Sequence, residues 1–68
     1  MFEKKVKIRL IELGKTQTEL AKELQKRYHE NIFVDTLNKV IKGKVSGPMA
    51  ERVKLEIEQV LEDWGDSG

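Results

Sequence analysis

Apolar residues along this 68-residue chain recur at intervals of three and four, the period of helices with one buried face, and nowhere alternate singly as a half-buried strand would. Phe2, Val6, Leu10 and Leu13 mark one helical face, with Ile8 and Ile11 off it, and Gly14 stands where a helix C-cap glycine belongs. A second helix opens at Thr16-Gln17-Thr18-Glu19. Thr16 followed three residues later by Glu19 is a capping box: the hydroxyl accepts from the amide of Glu19, and the carboxylate reaches back to the amide of Thr16. Leu20, Ala21 and Leu24 supply the apolar face, and good helix formers continue to Tyr28 or His29.

Residues 29–34 predict a connection in which Asn31 tolerates a left-handed backbone and at least one of Ile32, Phe33 and Val34 plugs the core. A third helix, over 35–42, starts at Asp35 as N-cap, buries Leu37, Val40 and Ile41, and stops at Gly43. It is too short to persist alone in water, so packing must hold it. A fourth begins with Pro48 as its first residue and carries Met49, Val53, Ile57, Val60, Leu61 and Trp64 on one stripe, with Leu55 opposite. Residues 65–68 read as a flexible tail. The expectation is one all-α domain over 1–64, a compact bundle of four or five helices.

Size and composition narrow the chemistry. A domain this small buries only roughly 60% of its unfolded surface, too little for a deep substrate pocket. There is no cysteine and one histidine, which excludes disulfides, cysteine-ligated zinc and His-rich metal sites. His29 stands alone and reads as a connection residue, so no metal and no cofactor is expected. The carboxylates are scattered, with no His–Ser or His–Cys set, so neither catalysis nor a small-molecule substrate is expected. No apolar run approaches the roughly 20 residues that span a bilayer, and no signal core follows the N-terminus, so the expected location is the cytoplasm, away from membranes.

Net charge is +1, but it is unevenly spread. Residues 1–44 hold eleven Lys and Arg against six Asp and Glu, a balance of +5; residues 45–68 hold two against six, a balance of −4. A basic front suits an anionic partner such as a phosphate backbone, while an unevenly charged solvated surface accounts for the charge equally well.

Gly14-Lys15-Thr16-Gln17-Thr18-Glu19-Leu20-Ala21-Lys22-Glu23-Leu24 resembles the first helix of the helix-turn-helix in the Cro/CI (XRE-like) repressor family, with its Thr-Gln-x-x-Leu-Ala core. Thr36-Leu37-Asn38-Lys39-Val40-Ile41-Lys42-Gly43-Lys44 is similar to that family's recognition helix and its closing Gly-Lys. Gln25 stands where the family usually has Gly, and the connection is longer, so the first of the two helices is expected to run on through Tyr28.

The resemblance implies a phage-repressor-like fold and a sequence-specific regulator of a phage or mobile element, bound to double-stranded DNA. Its recognition helix would lie in the major groove, which admits an α-helix. Implied base contacts are Val34, Asp35, Thr36, Asn38 and Lys39. Implied phosphate contacts are Lys15, Gln17, Lys42, Lys44 and Arg52. Beside these stand plainer roles: Asp35 as N-cap, Tyr28 packed on the core or touching phosphate, Trp64 covering the core or a dimer surface. A homodimer on a two-fold site is expected, since one small monomer covers little DNA. The alternatives are an excision or recombination accessory DNA-binding protein, and a protein-interaction module such as an antirepressor.

Overall fold

A computed structural model describes residues 2–67, with Ser67 described by its backbone alone. The chain forms four helices and, among the described residues, no strand: α1 (Phe2–Leu13), α2 (Gln17–Tyr28), α3 (Val34–Ile41) and α4 (Pro48–Ser67). The all-α expectation holds, with four helices rather than five. No helix among the described residues is long and apolar enough to cross a membrane.

Glycines end two of the helices through left-handed backbone. Gly14 (φ +68°) donates its amide to the Ile11 carbonyl while Lys15 donates to Leu10; Gly43 (φ +76°) donates to Val40 while Lys44 donates to Lys39. Both are Schellman closures, which satisfy carbonyls the last turn would otherwise leave open. Thr16 caps α2, its hydroxyl accepting from the amide of Glu19 at 3.2 Å. The box closes on one side only, because the Glu19 carboxylate turns to the Lys15 ammonium, 3.6 Å away.

The connection after α2 departs from expectation in two places. The left-handed residue is His29 (φ +54°), not Asn31, and its amide donates to the Gln25 carbonyl. Helix α3 then begins early, its N-cap two residues ahead of Asp35. Phe33, in extended backbone and with no side-chain cap, occupies the N-cap position, so Asp35 lies inside the first turn instead of capping it. The reason lies in the core: Ile32 is the residue that plugs it, and burying Ile32 turns the chain into helix at Val34. Asp35 still faces the positive end of the helix, where a carboxylate is favoured.

The core gathers Val6 and Leu10 of α1, Leu20 and Leu24 of α2, Leu37, Val40 and Ile41 of α3, and Val53, Ile57 and Val60 of α4. Ala21, small enough for close helix crossing, is buried among them. Phe2, Leu13, Tyr28 and Trp64 cover the edges, half-buried, so Tyr28 takes the packing role. Ala50 fills the position expected of Met49, which is 45% exposed, because the inward stripe of α4 begins one residue later. Ile8, Ile11 and Leu55 are exposed.

Helices α1 and α4 lie side by side and run in the same direction. Lys54 sits 5.8 Å from the Phe2 ring, Lys5 pairs with Glu58 at 3.1 Å, and the Arg9 guanidinium lies against Gly65, so residue numbers rise together along both helices. Helix α4 continues through Ser67 where a loose tail from residue 65 was expected; Gly68 lies outside the described residues.

Eight residues make about two turns, so α3 depends on its buried side. Leu37→Ala, which empties a fully buried position, is expected to cost about 2–5 kcal/mol in chemical denaturation. A loss under about 1 kcal/mol would mean that α3 is held by something other than its core contacts.

Candidate nucleic-acid interface

The outward side of α3 is built by its periodicity. Once Leu37, Val40 and Ile41 point inward, Asp35, Asn38, Lys39 and Lys42 are left toward solvent. Asp35, Lys39 and Lys42 are exposed, and Asn38 is half-buried at its base. The Gly43 closure then folds the chain back, bonding the Lys44 amide to the Lys39 carbonyl at 2.9 Å. Asp35, Asn38, Lys39, Lys42 and Lys44 thereby line one shallow hollow of about 220 Å³. Three ammonium groups face one carboxylate there, and none of the four is in an ion pair among the described residues. Such a surface attracts anions, and its amide and ammonium groups supply hydrogen-bond donors.

The remaining positions singled out from the sequence are distributed differently. Val34 and Thr36 sit in the first turn of α3, Val34 exposed and Thr36 half-buried. Gln17 opens α2, where helix amides face outward, and is half-buried. Lys15 lies 5.2 Å over the Trp64 ring as well as near Glu19, which ties it to the end of α4. Arg52 is exposed but already paired: its guanidinium meets Glu30 at 2.7 Å and Glu56 at 3.9 Å. Neither Lys15, Gln17 nor Arg52 lines the hollow.

Two features escaped the sequence reading. The first is Phe33, whose ring is 65% exposed at the leading end of α3. Three apolar residues in a row cannot all face inward from an extended segment, so one had to stay out, but spacing alone does not say which. The second is the way the lengthened connection is fastened. The Gln25 side-chain amide donates to the Ile32 carbonyl, so Gln25 braces the chain leading into α3. One step away, the Glu30 and Glu56 carboxylates converge beside Arg52, with Glu30 Oε2 and Glu56 Oε1 buried and unpartnered. Two acceptors of this kind bond to each other only if one carries a proton.

Glu56 is accordingly pushed up from its ordinary 4.5 to about 7, first by burial, then by the hydrogen bond and like charge of Glu30, with Arg52 pulling the other way. Farther along the same seam Arg27 spans Glu23 and Asp63, each at 2.6 Å, and Gln59 donates to Asp63 at 3.1 Å. The Arg27 hydrogen bond holds Asp63 below the usual carboxylate range, and the bonds that Arg27 donates to Glu23 and Asp63 raise Arg27.

No protein-family model, curated protein or solved structure matches this chain.

Because Glu56 binds its proton more tightly in the folded chain than in the unfolded one, folding takes up a proton at mildly acidic pH. Its contribution is present below the ordinary carboxylate value and is lost as pH rises through about 7. Asp63 has the opposite sign: its contribution is present above the ordinary value and is lost as pH falls. Thermal unfolding should therefore show stability declining from about pH 4.5 to about pH 7, and Glu56→Gln should abolish the decline and raise the melting temperature at pH 8. A decline that persists unchanged in Glu56→Gln would assign it to other groups.

Proposed function

We propose that this chain binds double-stranded DNA as a sequence-specific regulator, with α2 and α3 as a helix-turn-helix of lengthened connection and α3 in the major groove. The observation that carries this reading is the hollow on α3, where unpaired lysines converge around Asn38 and Asp35 on a helix that presents its polar side to solvent. A groove about 12 Å wide admits such a helix, and residues near its N-terminus reach base edges. Asn38 has the amide that pairs bidentately with adenine, Lys39 donates to guanine, Asp35 accepts from a cytosine amino group, and Val34 and Thr36 offer methyl contacts to thymine. Lys42 and Lys44, at the far end of the hollow, are suited to phosphate.

The resemblance of residues 14–24 and 36–44 to the Cro/CI-type repressors supports the same assignment and adds Gln17 as a phosphate ligand at the start of α2. Lys15 flanks it. Arg52 drops to a supporting role, since its guanidinium fastens the connection. The reading places the protein in the cytoplasm, with DNA as its partner.

The decisive experiment selects bound duplexes from random DNA and then measures variants on the selected site. Asn38→Ala with Lys39→Ala should cost roughly 1–3 kcal/mol per base contact and relax preference at the bases they read. Unchanged affinity and preference with an intact fold would remove α3 from recognition. Gln17→Ala should weaken selected and random duplexes by the same factor and leave the log–log salt slope unchanged, because the amide carries no charge; a changed base preference would overturn its phosphate role.

A further inference from the structure

A concavity larger than the α3 hollow lies away from it. It is a trough of about 510 Å³ between α1 and α4, floored by apolar side chains that include Phe2, Val6 and Leu61. Ile8, 48% exposed, stands at its lip. One wall, from α1, carries Lys5, Arg9 and Glu12, the last paired with Arg9 at 3.4 Å, and is basic on balance; the other, from α4, carries Glu58 and Glu62. The helices as wholes are charged in the same sense. Helix α1 has four basic residues against two acidic, and α4 has two against six. Glu62 has no ion-pair partner among the described residues, and Lys5–Glu58 is a solvated pair of the kind that contributes little by itself.

We propose that a second copy of this chain docks on the α1–α4 trough about a two-fold axis running along it, so that the basic wall of each copy meets the acidic wall of the other. The parallel course of α1 and α4 makes this self-complementary. Half a turn about an axis along the trough keeps helix direction and exchanges sides, which lays α1 of one copy over α4 of its partner. Levels along the axis are unchanged. Lys5 lies level with Glu58 inside one copy, and Arg9 and Glu62 each lie four residues on. Across the interface Lys5 therefore comes over Glu58 and Arg9 over Glu62. A two-fold axis across the trough would instead set α1 on α1 and α4 on α4, like charge on like.

The apolar floor and Ile8 supply the buried centre, and the five charged positions form the rim, the arrangement usual in protein interfaces. DNA is a poor occupant, because the α4 wall is acidic. Helix α1 is about 18 Å long, so the patch falls short of the roughly 800 Å² per partner of a standard interface, and the association is a weak one. The proposal stands on the trough alone and is independent of the DNA reading.

Sedimentation velocity of the full chain from about 10 to 500 µM tests it, concentrations at which a weak dimer forms. The wild type should shift from monomer to dimer, more weakly as salt rises. Arg9→Glu and Glu62→Arg should each weaken association at least about tenfold, and the double variant should recover most of it. Ile8→Lys should abolish it. Circular dichroism identifies any variant that fails to fold, in which case the Lys5→Glu and Glu58→Lys set replaces it under the same demand. A wild type that stays monomeric throughout, single swaps without effect, or a double variant no better than the singles would each overturn the proposal.

Discussion

The structure turns on the burial of three side chains, Leu37, Val40 and Ile41, from a helix too short to exist without them. Nothing at the N-terminus of α3 caps it by side chain, and Gly43 closes the other end through backbone bonds alone. Those three contacts therefore set both the existence of α3 and the direction in which its polar side points. The hollow of Asp35, Asn38 and the three lysines is the reverse face of that burial, and anything that loosens the core contact also dissolves the hollow.

The second constraint is the chain leading into α3. A tight turn between two helices fixes their angle through a few backbone dihedrals; here the connection is longer and needs other fastenings. Ile32 enters the core, Gln25 holds the Ile32 carbonyl, and Glu30 is drawn onto α4 by Arg52. The last of these carries a cost. Glu56 is confined beside Glu30 in surroundings poor in water, and the pair is comfortable only with a proton between them. Arg27 with Asp63, more exposed and simply paired, has no such conflict. One seam thus contains two carboxylates that respond to pH with opposite sign.

Charge is segregated in a way that serves both proposed surfaces. The acidic residues accumulate on α4, away from the lysines of α3, and so do not neutralise the hollow. The same residues stand beside the basic wall of α1. Under the DNA reading, a weak dimer would present two hollows at once, and two weak contacts joined in one molecule bind far more tightly than either alone. Arg52 shows the limit of judging a basic residue by its sign: its guanidinium, though exposed, is paired with Glu30.

The helical character of the chain, its apolar stripes and the glycine stops of α1 and α3 were legible in the sequence, because each is a local property: a period of 3.6, or a residue that accepts positive φ. Leu20, Ala21 and Leu24, or Leu37, Val40 and Ile41, needed no knowledge of what lay opposite them. Tertiary structure alone chose Ile32 over Phe33 as the plug, moved the start of α3 to Val34, bound Arg52 to Glu30, raised the proton affinity of Glu56 and set α1 parallel to α4. Each of these depends on which surfaces meet across a long stretch of chain, and spacing along the chain has no bearing on that.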